Sequence, residues 1–238
     1  MSRTYSELDA GAVLQTVRTL GRRIGERFPE AGLGGVCGTL EGICDESTEQ
    51  LASLRKPIWP LRVASVTLLI VVAGLTAGTI YMVRPSNQAF ELATFVDMVQ
   101  NIIQDLVYLA IGVFFLVRLE TIIKRRRVSR IIHQLRSIAH VIDMHQLTKD
   151  PDRVLRNRDT TASSPTVSLT PFLLRRYLDY CSEMLSLTGK IAALYLKHFD
   201  DPATVAAVTE IEDLTTGLSR KIWQKIIALP EDSVEEAK

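Results

Sequence analysis

The chain has 238 residues, of which 47% are hydrophobic and 23% charged, with a formal net charge of +1. That length would serve one or two soluble domains, and the bulk averages are ordinary. They conceal a segregation that argues against a wholly soluble chain, because residues 63–83, "VASVTLLIVVAGLTAGTIYMV", carry no charge.

The opening "MSRTYSELDAGAVLQTVRTLGRRIGERF" is polar and lacks the apolar core of a signal peptide, so a mature start is expected. Val13, Val17, Leu20, Ile24 and Phe28 then form a stripe at helical spacing. Pro29, Gly32, Gly34 and Gly35 break it, and Val36, Leu40, Ile43, Ser47, Leu51 and Leu54 make a second stripe. Residues 1–57 are therefore predicted to be a cytoplasmic helical hairpin that stops near Pro57 and Pro60. Trp59 is placed there as an interfacial anchor.

Residues 58–123 read as a transmembrane hairpin with spans near 61–83 and 97–120. At about 1.5 Å per residue the uncharged run makes a helix of about 31 Å, against a hydrocarbon layer of roughly 30 Å. This first span is expected to act as its own insertion signal. "LVYLAIGVFFLV", residues 106–117, is too short to cross alone and needs extension toward Asp97, toward Lys124, or both. "RPSNQAFEL" is the expected turn outside the cytoplasm. Arg55, Lys56 and Arg62 precede the first span, and Lys124, Arg125, Arg126, Arg127 and Arg130 follow the second, whereas the turn offers Arg84. The positive-inside rule then puts both termini in the cytoplasm. Cys37, Cys44 and Cys181 would lie in a reducing compartment. The first two are about 10 Å apart along one helix, too far for a disulfide, and read as small core residues.

After the second span the helix is predicted to run on through 124–148, as far as Leu147. Residues 149–169, polar with two prolines, read as a mobile linker. Thr170-Pro171 then sets an N-cap with proline at the first helical position. Leu173, Tyr177, Tyr180, Met184, Leu187, Ile191 and Leu194 alternate 4-3 in the manner of a coiled-coil seam. Asp201-Pro202 repeats the cap, and Val208, Ile211, Thr215, Leu218, Ile222 and Leu229 return. Residues 170–230 are thus expected to form an antiparallel helical hairpin, 171–199 against 202–229, followed by an acidic tail at 231–238. The fold class is all-α.

Two polar groups invite a functional reading. Asp97, Asn101, Asp105 and Tyr108 share one face of the second span, with Gln100 and Gln104 beside them. If Arg118 marks the inner boundary, Asp105 sits well inside the bilayer and needs a partner or water. If Lys124 marks it, Asp105 lies near the outer edge. This face is either an interfacial rim or the lining of a pore, and a pore requires several copies because two spans enclose none. Gly74 and Gly78 give the first span a small-xxx-small face that permits close helix packing.

The second group is the histidine cluster of "RIIHQLRSIAHVIDMHQLTKDP". On a helical wheel Val128, Ile131, Leu135, Ile138 and Ile142 form the buried stripe, with His145 near its edge. His133, Arg136, His140 and Asp143 fall on the opposite side, as a polar face that neighbouring chains could contact. Metal binding would need ligands from other helices, and a pH-sensing imidazole is physically open. Arg127 and His133 fit the R-x4–6-H spacing of HEPN-type ribonucleases, as Arg126 does equally well. Nucleic acid is not an expected partner, since no aromatic residue lies between Lys124 and Pro171 to stack a base. The basic run itself reads as an anchor to anionic headgroups, each cation contributing about 1 kcal/mol. No phosphate loop, nucleophile–base pair or metal set is evident, so no cofactor is expected.

The stretches "ERFPEAGLGGVC", "KRRRVSRIIHQLRSIAHVIDMHQLTKDP", "LTPFLLRRYLDYCSEMLSL" and "LTTGLSRKIWQKI" resemble a group of bacterial two-span membrane proteins. That resemblance implies the two-span layout and an inner-membrane location, and it carries over no activity and no site residue. In layout the chain is also similar to two-span membrane effectors of bacterial defence systems. The expectation is a non-enzymatic scaffold or sensor that self-assembles and contacts membrane lipids, with a cytoplasmic protein partner at 170–230. The alternatives are a homo-oligomeric pore and a membrane-tethered ribonuclease.

Overall fold

A computed structural model of the chain describes residues 8–54, 56–82, 92–151 and 169–229. The expected outer turn at 84–92, up to its last residue, which is the helical Leu92, lies outside the described residues, as do Arg55, most of the linker and the acidic tail. All regular structure among the described residues is helical: α1 (Ala10–Arg27), α2 (Leu33–Leu54), α3 (Trp59–Met82), α4 (Leu92–Leu147), α5 (Pro171–Ala193) and α6 (Pro202–Ile227). The chain divides into two compact units, one of residues 56–126 and the other of the residues before and after them. α4 contributes to both.

The larger unit is a helical bundle. Asp9 caps α1 by accepting from the Gly11 N–H at 2.9 Å, and Val13, Val17, Leu20 and Ile24 turn inward. The helix ends where the Phe28 N–H returns to the Ile24 carbonyl and its ring enters the core. α2 packs on α1 in the opposite direction. Arg18 pairs with Glu41 at 2.9 Å, and the Cys37 thiol approaches the Val17 carbonyl at 3.8 Å. Gly34, Gly38 and Gly42 recur every fourth residue along α2, and a Cβ at any of them would meet nothing within 4 Å.

α5 lies at the centre. The 4-3 seam found in the sequence is one of two buried stripes, the other running through Leu174, Leu178, Cys181, Leu185, Thr188, Ala192 and Tyr195. Two stripes are needed because α5 contacts α1 and α2 as well as α6. Phe28 of α1 meets Tyr177 and Tyr180 edge-on, with centroids 5.4 and 6.1 Å away. Gly189 admits α6, since a Cβ there would lie 3.1 Å from the Thr215 hydroxyl. The helix ends at Ala193, six residues before the expected 199, and tighter turns carry the chain on. In those turns the N–H groups of Tyr195, Leu196 and His198 bond three residues back.

The cytoplasm-side part of α4 as read from the sequence completes the same core. Val128, Ile131, Ile132, Leu135, Ile138, Ala139 and Ile142 are buried within it. The three regions that the sequence separates, 1–57, 124–148 and 170–230, therefore share one hydrophobic cluster. Each buried Leu or Ile contributes about 1.5–3 kcal/mol.

The smaller unit is α3 with α4 up to Arg126. Both helices are long and apolar enough to cross a membrane, with mean hydropathy 2.0 and 2.1 over their most apolar 18 residues and none of that surface buried. Contacts between them pair rising numbers with falling ones. The Ile58 N–H meets Glu120, a Cβ on Gly112 would lie 2.8 Å from Leu68 Cδ2, and Thr76 meets Asp105. A Cβ on Gly74 or Gly78 would meet nothing within 4 Å, so the close approach inside this pair falls at Gly112.

Candidate functional site

The polar face in the first half of α4 begins with residues whose only local option is the helix itself. Backbone groups in α4 are bonded internally, so Asp97, Asn101, Gln104, Asp105 and Tyr108 present side chains alone. The structure divides them. Asp105 is half-buried and accepts from the Thr76 hydroxyl at 3.3 Å, while that hydroxyl also bonds the Val72 carbonyl at 2.9 Å. Gln104 donates to the Tyr108 hydroxyl one turn on at 3.0 Å, and both are exposed. Asp97 and Asn101 are exposed as well. One carboxylate thus meets α3, and four polar side chains near it are exposed, on a helix that also exposes Ile103, Leu106 and Ile111.

At the other end of this unit lies a charged collar. Glu120 pairs with Lys124 at 2.8 Å and also accepts from the Ile58 N–H. Arg62 is near enough to act on that carboxylate, and Trp59 is 72% exposed just before it. Arg118 stacks its guanidinium over Phe114 at 5.4 Å. Arg125, Arg126 and Arg127 follow, all exposed.

The histidine face of α4 is also divided. His133 and His140 are exposed. Arg136 turns to α6, where it is ion-paired with Glu210. Asp143 accepts from the Gln146 amide at 2.6 Å and lies near the Lys225 ammonium. Lys225 in turn donates to the carbonyls of Gln146 at 2.8 Å and Lys149 at 3.3 Å, closing the C-terminus of α4 with a cation. Burial lowers the Lys225 pKa, and Asp150, Asp143 and Cys181 pull it back up. His145 packs inward, its ring 3.0 Å from where a Gly32 Cβ would sit and its Nδ1 3.4 Å from the Tyr177 hydroxyl. The three histidines of the motif therefore have two environments.

Among the described residues no group of three or more His, Cys, Asp or Glu is arranged to hold a metal ion. Arg127 and His133 lie six apart on one helix, about 120° round it, so they do not share a face. Ser186 and Lys190 on α5 are in contact, with Nζ to Oγ at 2.6 Å. Their helix offers no N–H free to stabilise an oxyanion, because mid-helix donors are already bonded. Burial pushes the thiols of Cys37 and Cys44 up to about 11 and that of Cys181 up to about 12, so none is a ready nucleophile.

Sequence reasoning missed Thr76, Glu210, Lys225 and Tyr177 as partners of its chosen residues. Thr76 had a partial signal: the expected turn, centred on Gln88, would set it opposite Gln100, five residues short of Asp105. The other three are tertiary neighbours that no local spacing announces. No protein-family model, no curated protein and no solved structure matches the chain.

Proposed function

We propose that the chain is an integral protein of the bacterial inner membrane, with α3 and the first half of α4 as a spanning hairpin and both termini cytoplasmic. The hydrophobic surface on these two helices carries the reading. Both carry a long apolar run, and residues such as Val66, Ile70, Leu75, Ile103, Leu106 and Phe114 are exposed. A helix of that kind is covered either by lipid or by other protein. The Glu120–Lys124 pair and the arginines after it suit an inner boundary near Lys124. Asp105 is then nineteen residues, about 28 Å, from that boundary and close to the outer edge of a roughly 30 Å layer.

In this reading the protein is non-enzymatic. It self-assembles through its spans, contacts anionic headgroups through Arg125, Arg126 and Arg127, and offers the cytoplasmic bundle as a scaffold or sensor to a protein partner. A second reading draws on the exposed Asp97, Asn101, Gln104 and Tyr108. It takes the inner boundary at Arg118 instead, which brings these groups to within about 32 Å of it; polar groups facing lipid are costly, and several copies that turned them inward would form a water-lined pore.

Native mass spectrometry of the protein in mild detergent tests both. A closed ring of five or more copies supports the pore, and ion flux in liposomes should then change selectivity in Asp97→Asn. A dimer supports the scaffold. Recovery of the protein from the soluble fraction after an alkaline wash of membranes would sink both readings.

A further inference from the structure

One cleft in the helical bundle has no role in the reading above. It has a volume of about 880 Å³ and lies between the first turns of α1, the last turns of α2 and the second half of α5. That is within the roughly 300–1,000 Å³ typical of small-molecule sites. Its exposed apolar lining is Leu8, Ala12 and Ala52, over a floor where the three helices meet at Val13, Leu51, Leu187 and Leu194, each 2–6% exposed. Each of these four projects from a stripe already committed to the core, so the floor is fixed by the packing that holds the bundle.

One side of the cleft carries donors. The Lys190 ammonium donates to the Ser186 hydroxyl oxygen at 2.6 Å, which leaves the hydroxyl proton and two ammonium protons for another acceptor. No carboxylate is ion-paired with Lys190 among the described residues. His198 lies beyond it, with Nδ1 3.0 Å from the Leu194 carbonyl. A carbonyl only accepts, so Nδ1 carries the proton and Nε2 is left over. Lys197 adds a second cation. Two acids also line the cleft: Asp9, whose carboxylate caps α1, and Glu183, seven residues before Lys190 and thus about 10 Å along α5.

An aliphatic wall beside a Ser–Lys donor pair is complementary to one class of molecule. We propose that this cleft binds a single acyl chain with an anionic head, the chain against Leu8, Ala12 and Ala52 over the floor of Val13, Leu51, Leu187 and Leu194, and the head on Lys190 and Ser186. The site lies wholly within the bundle, so it does not rest on the membrane reading or on assembly. A fatty acid and a lysophospholipid with a phosphate head both have this chemistry.

The test uses the full chain in phosphatidylcholine nanodiscs, where no detergent competes. A diazirine-bearing palmitate is added and irradiated, and labelled peptides are located by mass spectrometry. Label is expected in residues 8–16, 48–52 and 183–198, and it should fall about fivefold or more in Lys190→Glu and recover in Lys190→Arg. Hexadecyl sulfate should compete and hexadecyltrimethylammonium should not. Competition by palmitate and by lysophosphatidate, compared at equal concentration, identifies the head the site prefers. Label confined to α3 and α4, cleft label unchanged in Lys190→Glu, or equal competition by the cationic amphiphile would each overturn the proposal. Leu187→Phe, which raises the apolar floor and leaves the charges in place, should also lower the label. Unchanged cleft label in that variant counts equally against it.

Discussion

The Lys225 ammonium lies 2.8 Å from the main-chain carbonyl of Gln146, so a side chain of α6 closes the open end of α4. The last carbonyls of a helix have no partner within it, and a cation there also meets the negative end of the helix dipole. Lys225→Met should destabilise the bundle by about 1–2 kcal/mol, since hydrogen bonds to charged groups are worth somewhat more than neutral ones. Chemical denaturation followed by circular dichroism measures this. Burial holds the Lys225 pKa below its ordinary value, so the folded state binds fewer protons than the unfolded one as pH rises. The stability of the wild type relative to Lys225→Met should therefore increase with pH through that lowered value, levelling off near the unfolded pKa of about 10.4. A difference that shrinks over this range would contradict it.

The thiols act in the opposite sense. Burial raises Cys37 and Cys44 to about 11 and Cys181 to about 12, and it raises Tyr195 to about 12. Their protonated forms favour the fold fully below the unfolded thiol pKa of about 8.5, and that contribution is lost as pH climbs through the folded values. Alkaline unfolding should begin above about pH 9 and be delayed in the triple Cys→Ala variant. In the native protein at pH 8, iodoacetamide should modify none of the three cysteines over a time that fully labels the denatured chain.

The shared core makes α4 an integral strut of the bundle. Leu135 is fully buried there, and Leu135→Ala should cost about 2–5 kcal/mol through lost transfer energy and the cavity left behind. Arg136→Ala, which removes a half-exposed ion pair with Glu210, should cost less than about 1 kcal/mol. Thermal melts of the two variants side by side separate packing from charge.

Thr76 and Asp105 give a direct check on how α3 and α4 pair. In a background with the native cysteines replaced by serine, Thr76→Cys with Asp105→Cys should form an intramolecular crosslink on mild oxidation. Ile70→Cys with Asp105→Cys, six residues out of register, should not. A crosslink that appears only between chains would show that these helices pair differently.

Much of this architecture was legible from local signals. Thr170 accepts from the Leu173 N–H at 3.2 Å and Asp201 from Thr204 at 3.3 Å, each beside the proline that marked the start. α4 ends at Leu147, just before the polar Thr148, Lys149 and Asp150 and Pro151. The second stripe of α5 was harder to see. Cys181, Thr188 and Ala192 are small or weakly polar, and periodicity reads them as background until their neighbours are known. The candidate site was half legible. His133 and His140 face outward as the wheel required, but Arg136 and Asp143 turn toward α6, because Glu210 and Lys225 arrive from more than seventy residues away.

Gly34, Gly38 and Gly42, three of the four open glycines of α2, set the order in which the bundle comes apart. Each costs a helix interior about 1 kcal/mol relative to alanine, and none of the described residues fills the space an alanine methyl would take. α2 is therefore helical because α1 and α5 hold it there, with little helicity of its own. Its amides around Gly34–Gly42 should exchange with deuterium sooner than those of α5, through openings that leave the centre of the bundle closed. A protease should find this segment first, and alanine at Gly38 should slow the cut without touching any contact.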